Sequence, residues 1–311
     1  MTQTIVKLDD KYDVEAKSFY LTGTQALVRL PLLQRQLDLR AGLNTGGFVS
    51  GYRGSPLGSV DLQMVQARKS LEAANIQFRP GLNEELAATA VWGTQQVPLF
   101  PGASVEGVFA FWYGKGPGVD RSGDVFKHAN FAGTSRSGGV LLVAGDDHAC
   151  KSSTVPHQSE QAFAASSIPV LVPSDVEDIL FLGLHGWAMS RWSGRYVGFK
   201  TVADVVDSSA SVAFGLAGFA GRDPDGPHPD ANIRIPDPSL EQEARVFAVG
   251  LPAAQAYARA NRLDRILLDP PGARFGIVTI GKSYHDTRQA LAELGLNPLM
   301  VEAFRDRSNS L

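Results

Sequence analysis

Apolar positions along the chain follow two periods in turn, one helical and one strand-like. Residues 25–39 carry Ala26, Leu27, Leu30, Leu33 and Leu37 at helical spacing and stop before Gly42. Residues 46–51 are short, apolar and flanked by glycine, as a buried strand is, and a helix at about 59–74 follows with Val60, Met64, Ala67, Leu71 and Ala74 on one side. The alternation repeats through a strand at 76–79, a helix at 83–96, an apolar run at 105–113 and a helix at 121–132. Val140-Leu141-Leu142-Val143-Ala144 is the clearest buried strand. A helix at 158–165, a strand at 170–172, a helix capped by Asp175 and reaching about Ser190, and a strand at 196–202 complete the series. Strands alternating with helices in this way predict an α/β fold: a parallel sheet with helices on both faces. Ligand sites in such sheets lie at the carboxyl ends of the strands.

The pattern breaks at 221–238, where Asp-Pro-Asp-Gly-Pro-His-Pro-Asp crowds turn formers into a linker or an ordered crossing segment. Residues 239–262 are again helix-rich, and 275–281 reads as a strand leading into a helix at 284–294. The expected division is one α/β domain over 1–220, a linker over 221–240, and the start of a second α/β domain over 241–311 that reads as incomplete. A length of 311 residues agrees with about two domains.

Composition narrows the chemistry. With 44% hydrophobic and 20% charged residues the chain can bury a sizeable core, which excludes disorder. A net charge of −3 offers no basic field for nucleic acid and points to a small ligand. No apolar run of about 18 residues and no signal-peptide core is present, so the expectation is a cytoplasmic protein without a membrane partner. A single cysteine, Cys150, supplies neither a disulfide nor a zinc ribbon, and an iron–sulfur cluster takes about four thiolates.

Four segments carry candidate chemistry. Gly51-Tyr52-Arg53-Gly54-Ser55-Pro56-Leu57-Gly58 lies between a strand and a helix, where glycines let a backbone approach a ligand. It matches neither a dinucleotide fingerprint nor a phosphate-binding P-loop, and on spacing alone a tight turn is the commoner role. Asn83-Glu84-Glu85 opens a helix continued by Ala87, Ala88 and Ala90, so something packs closely there; a carboxylate so placed is most often a capping charge. Lys115-Gly116-Pro117-Gly118-Val119-Asp120-Arg121 is a second glycine-rich loop that lines a site or merely turns. The polar run from Gly145-Asp146-Asp147-His148 through Cys150, Lys151, Ser152 and Ser153 to His157, Gln158 and Glu160 follows the best central strand. His148 and His157 lack the i, i+4 spacing of a helical metal pair, so no metal is assigned to them. No G-x-S-x-G elbow surrounds Ser55 or Ser135, and adjacent Cys150 and His148 seldom give triad geometry.

Taken in order, Gly51-Tyr52-Arg53-Gly54-Ser55-Pro56, Asn83-Glu84-Glu85, Tyr113-Gly114-Lys115-Gly116-Pro117-Gly118-Val119-Asp120-Arg121, Lys127-His128-Ala129-Asn130 and the polar run through His157-Gln158-Ser159-Glu160 resemble the N-terminal part of the indolepyruvate ferredoxin oxidoreductases, thiamine-diphosphate-dependent 2-oxoacid:ferredoxin oxidoreductases. The resemblance implies that 1–220 is the pyrimidine-binding domain of a thiamine enzyme and that residues 276–284 start a transketolase C-terminal-like domain. The implied reaction is oxidative decarboxylation of an aryl 2-oxoacid to acyl-CoA and CO₂, with electrons passed through iron–sulfur clusters to ferredoxin. Activating thiamine diphosphate takes a carboxylate on the pyrimidine ring nitrogen, and the resemblance gives that role to Glu84, with Ala87 and Gly93 as its small-residue tail. Gly51, Tyr52, Gly54, Gly116 and Gly118 would lie on the cofactor side, and Ser55 would position substrate. Arg53 departs from the family's loop, which has proline there. Arg53, His148 and Lys151 are candidate substrate contacts, the last two for the substrate carboxylate. No Gly-Asp-Gly motif occurs, so Mg²⁺, the diphosphate and the clusters are expected on missing domains or a partner, in a homo- or hetero-oligomer. The chain is then expected to be inactive alone. The competing expectation is a non-catalytic fragment that only pairs with a relative.

Overall fold

The computed structural model describes residues 8–16, 18–150, 155–216, 219, 221–269, 271, 274 and 276–296. A 3₁₀ turn at Leu8–Tyr12 precedes β1 (Phe19–Thr22) and α1 (Gly23–Arg40). Then come β2 (Thr45–Gly51), α2 (Val60–Gln66), α3 (Arg68–Ala73), β3 (Ile76–Phe78), α4 (Glu84–Gln95) and β4 (Gly107–Lys115). Next are α5 (Gly116–Arg121), α6 (Gly123–Ala132), β5 (Val140–Asp146), α7 (Ser159–Ala165), β6 (Val170–Leu171), α8 (Val176–Ser193) and β7 (Val197–Val202). The series closes with α9 (Ala203–Val206), β8 (Ser209–Val212), α10 (Ser239–Arg245), a π-helical turn at Val246–Gly250, α11 (Leu251–Ala260) and α12 (Ser283–Glu293).

Six strands form one parallel sheet in the order β3-β2-β4-β5-β7-β6, as the strand and helix alternation predicts. Its central strands are buried on both faces. Phe109, Phe111 and Tyr113 of β4 and Leu141 and Val143 of β5 point into a core shared with α1 and α8. The intervening Ala110, Trp112, Val140, Leu142 and Ala144 point into a second core under α4 and α6.

The helix ends follow from local chemistry. Thr22 Oγ1 accepts from the Gln25 N–H at 3.1 Å while the Gln25 side chain accepts from the Thr22 N–H at 3.0 Å, a reciprocal cap that starts α1. Asp175 caps α8 by accepting from the Asp178 N–H, and Gly194 ends it in the left-handed conformation at φ 65°. The buried carboxylate of Asp38 ties α1 to α8 through a two-pronged pair with Arg191 at 2.6 and 2.9 Å, and to the start of β2 through the Thr45 hydroxyl at 2.6 Å.

Four elements differ from the sequence expectation. The helix expected over 59–74 is divided at Ala67 into α2 and α3. The helix expected at 121–132 forms as α6 over Gly123–Ala132, but an additional short helix, α5, precedes it directly after β4, because Pro117 in its first turn suits helix initiation. The four-residue strands β1 and β8 pair antiparallel outside the main sheet, too short to show a period. Residues 276–280, expected within a strand, have no pairing partner among the described residues, and Val278 is 98% exposed. The turn-rich stretch is an ordered crossing segment: Ile233 N–H donates to the Thr134 carbonyl, and the Asn232 amide donates to the carbonyls of Thr134 and Arg191.

α11 packs on α8 around His185, whose Nδ1 lies 3.0 Å from the Tyr257 hydroxyl and whose ring abuts Phe181 and Phe219. Burial lowers the His185 pKa from 6.5 to about 4. Below pH 6.5 the unfolded chain takes up a proton that the folded chain refuses until about pH 4, so this contribution to stability is lost as pH falls. Denaturant unfolding should show about 2 kcal/mol less stability at pH 5 than at pH 7 from this residue alone. A His185→Gln variant should lack that part of the pH dependence; an identical slope in both proteins would refute the assignment.

Candidate functional site

The loops that leave β2, β4 and β5 gather at one edge of the sheet. Gly51 ends β2, and a Cβ there would fall 2.1 Å from the Tyr113 carbonyl oxygen, so only glycine permits this strand contact. The Tyr52 N–H donates to that same carbonyl at 3.0 Å, and the Gly51 carbonyl accepts from the Gly81 N–H at 2.8 Å. The second bond brings the start of α4 beside the end of β2. Tyr52 and Arg53 are exposed at the rim, Ser55 is half-buried, and Pro56 and Leu57 pack on Gly145 of β5. At Gly54 a Cβ would meet the aliphatic stem of Lys115 at 2.8 Å.

The first turn of α4 separates its two acidic residues. Glu85 faces solvent, whereas Glu84 is only 9% exposed. Asn83 accepts from the Leu86 N–H at 2.8 Å, and the Glu84 carbonyl accepts from the Trp112 indole N–H at 2.9 Å. The helix start is thereby anchored to the fully buried middle of β4. Opposite the Glu84 side chain sits Gly118, where a Cβ would lie 2.5 Å from Glu84 Cγ and 2.9 Å from Oε1. Gly116 is equally tight against another group, since its Cβ would fall 2.2 and 2.3 Å from two atoms of the His157 ring. The β4–α5 turn is therefore held between a carboxylate and an imidazole.

Behind it lies a charged cluster. Asp146, fully buried at the end of β5, accepts from the Ser159 N–H at 2.9 Å and the Ser159 hydroxyl at 2.5 Å. Lys200 of β7 reaches Asp146 at 3.5 Å and Glu160 at 2.8 Å. His157 Nε2 is 2.6 Å from Asp120 Oδ2, and its Nδ1 is 3.8 Å from Asp146 Oδ1. Burial by itself would raise the Glu160 pKa, but the Lys200 hydrogen bond, then a backbone hydrogen bond and the Lys200 charge, with least from His148, hold it below the usual carboxylate range.

The structure brings Gly51, Tyr52, Arg53, Gly54, Ser55, Glu84, Gly116 and Gly118 to the same sheet edge. His148 is exposed on the loop after β5, and Lys151 lies outside the described residues. Sequence reasoning missed Lys200 and the pairing of Asp120 with His157. Lys200 had a readable signal, a lone cation inside an apolar strand. The Asp120 pairing spans 37 residues and had none. Among the described residues no cluster of metal-ligating side chains occurs and no helix is long and apolar enough to cross a membrane.

No protein-family model matches the chain. Two curated relatives, both indolepyruvate oxidoreductase subunit IorA, come from Methanothermobacter thermautotrophicus and Methanothermobacter marburgensis. Each is 25% identical to the chain over 86% of its length, and the match covers 41% of the relative. The fold matches the solved structure of 2-oxoglutarate:ferredoxin oxidoreductase from Magnetococcus marinus with 2-oxoglutarate, coenzyme A and succinyl-CoA bound, with a TM-score of 0.66 and 15% identity over 90% of this chain and 52% of that one. The chain is a relative of the 2-oxoacid:ferredoxin oxidoreductases. It spans about two-fifths of the length of the curated relatives. Polar groups collect at the end of the sheet beside which Glu84 sits.

Because Asp146 is wholly buried, removing Lys200 leaves its charge to the Ser159 hydrogen bonds and the more distant His157. Lys200→Met should cost about 3 kcal/mol in denaturant unfolding. Glu160→Gln, whose side chain is 41% exposed, should cost much less. Equal losses in the two variants would show that Asp146 does not depend on Lys200.

Proposed function

We propose that the chain is the pyrimidine-side part of a 2-oxoacid:ferredoxin oxidoreductase, taking an aryl 2-oxoacid such as indolepyruvate to its acyl-CoA and CO₂. The observation that carries this reading is the burial of Glu84 against Gly118 beside the end of β2, while its neighbour Glu85 faces water. A carboxylate in a dry, closely packed cradle suits thiamine diphosphate, whose ring must be held by hydrogen bonding to a carboxylate. The residues present therefore fit the pyrimidine side of that cofactor. When bound, thiamine diphosphate supplies the electron sink for decarboxylation.

Glu84 holds a proton at the pyrimidine ring nitrogen. Gly118 lets the β4–α5 turn approach without a side chain in the way, with Gly116 setting the same turn from below. Gly51, Tyr52 and Gly54 form the adjoining wall, and Ser55 orients the substrate. Arg53 at the rim carries the charge that suits a 2-oxoacid carboxylate, a role shared with His148 and Lys151. The diphosphate, Mg²⁺ and iron–sulfur clusters belong to a polypeptide segment outside this sequence, and coenzyme A and ferredoxin meet the complete assembly. Within the chain, residues 1–220 supply the pyrimidine-binding unit, and α11 of the following segment packs back on it through Tyr257 and His185.

Titrating thiamine diphosphate and Mg²⁺ into the chain together with the completing polypeptide should give saturable heat that the chain alone lacks. In that assembly Glu84→Gln should lower 2-oxoacid-dependent ferredoxin reduction by at least about 10²-fold. Unchanged turnover would remove Glu84 from the chemistry and favour a non-catalytic pairing role for the chain.

A further inference from the structure

α5 is one short helix that begins where β4 ends, and three of its residues touch two groups, His157 and Glu84. Gly116 lies under the His157 ring, Gly118 under the Glu84 side chain, and Asp120 holds His157 Nε2 at 2.6 Å. His157 is not free to follow α5. Two residues on, Ser159 is bound through backbone and hydroxyl to the buried Asp146. Glu160 is tied to Lys200, which also faces Asp146. Asp146 ends β5 and Lys200 lies within β7, so the imidazole is fixed to the sheet itself.

We propose that Asp120 and His157 form a clamp that sets α5 against Glu84, making both of them positioning residues for that carboxylate. The inference deepens the cofactor reading and rests on it for its catalytic meaning, but the mechanical coupling is a property of this chain. Loss of the Asp120–His157 contact frees α5 to move away from the sheet edge, and Gly118 moves with it. Glu84 then loses the surface it packs on, and the first turn of α4 loosens.

Trp112 reports that loosening directly, because its indole N–H donates to the Glu84 carbonyl at 2.9 Å. Exchange of this proton with solvent, followed by NMR on the chain alone, should quicken about tenfold in Asp120→Ala and in His157→Ala. The double variant should be no faster than either single one, as for two halves of a single contact. His157→Gln, which keeps a side-chain donor, should recover part of the protection, and the unfolding midpoint should stay close to that of the parent. Unchanged exchange, or multiplying effects in the double variant, would overturn the clamp.

In the complete assembly the same variants should lower kcat about tenfold at an unaltered KM for the 2-oxoacid, with no further loss on a Glu84→Gln background. Faster exchange with an unmoved kcat would leave a structural contact and overturn the positioning role. If Glu84→Gln itself proves silent, the cofactor reading fails while the exchange result still decides the clamp.

Discussion

A parallel sheet covered on both faces has nowhere to keep an unpaired charge except at the ends of its strands. In this chain β4 and β5 alternate large apolar residues into two separate cores, with Phe109, Phe111 and Tyr113 on one side and Ala110 and Trp112 on the other. A charged group along either strand would sit in a medium unable to solvate it. The first ionisable groups therefore come where the strands stop, at Lys115 of β4 and Asp146 of β5. Lys200, inside β7, keeps its charge only because Asp146 and Glu160 lie beside it at 3.5 and 2.8 Å. The place of the candidate site is a consequence of how the core is filled.

Much of that core was legible beforehand because burial leaves a periodic trace. Strand β5 shows as an unbroken apolar run, and α1 shows as leucines at helical spacing. Features without a period escaped. The β1 and β8 pairing joins residues nearly two hundred positions apart, as Phe19 with Val212, and short antiparallel strands leave too few alternations to recognise. Residues 276–280 failed in the opposite sense, having a strand's composition without a neighbouring edge to bond to. Apolar residues make a strand only where another strand takes up their N–H groups.

The candidate site was legible in its residue types and hidden in its contacts. Glycines in the Gly51–Gly58 and Gly116–Gly118 loops suggest room for a ligand. In the folded chain Gly51 makes room for Tyr113 and Gly54 for Lys115. Gly116 and Gly118 make room for His157 and Glu84, two groups that can hold protons. The same residue type thus serves strand packing in one loop and the seating of polar side chains in the other. Spacing alone could not separate these uses, because the difference lies in what stands opposite each Cα. Glu84 and Glu85 show the same limit, being neighbours in sequence with one buried and the other in water.

Arg195 bears on where this polypeptide can be divided. Its guanidinium is buried between the Asn130 carbonyl and, at 2.9 Å, the carbonyl of Ala231. Desolvation, with the nearby Arg245 adding to it, lowers its pKa to about 9. The proline-rich stretch that composition marks as a boundary is thus the lid over a buried cation belonging to the sheet. Ending a shortened chain at residue 220 would uncover that cation and remove one of the carbonyls that accept its hydrogen bonds. A workable border lies beyond Arg245, whose pair with Asp237 closes the segment from its far end.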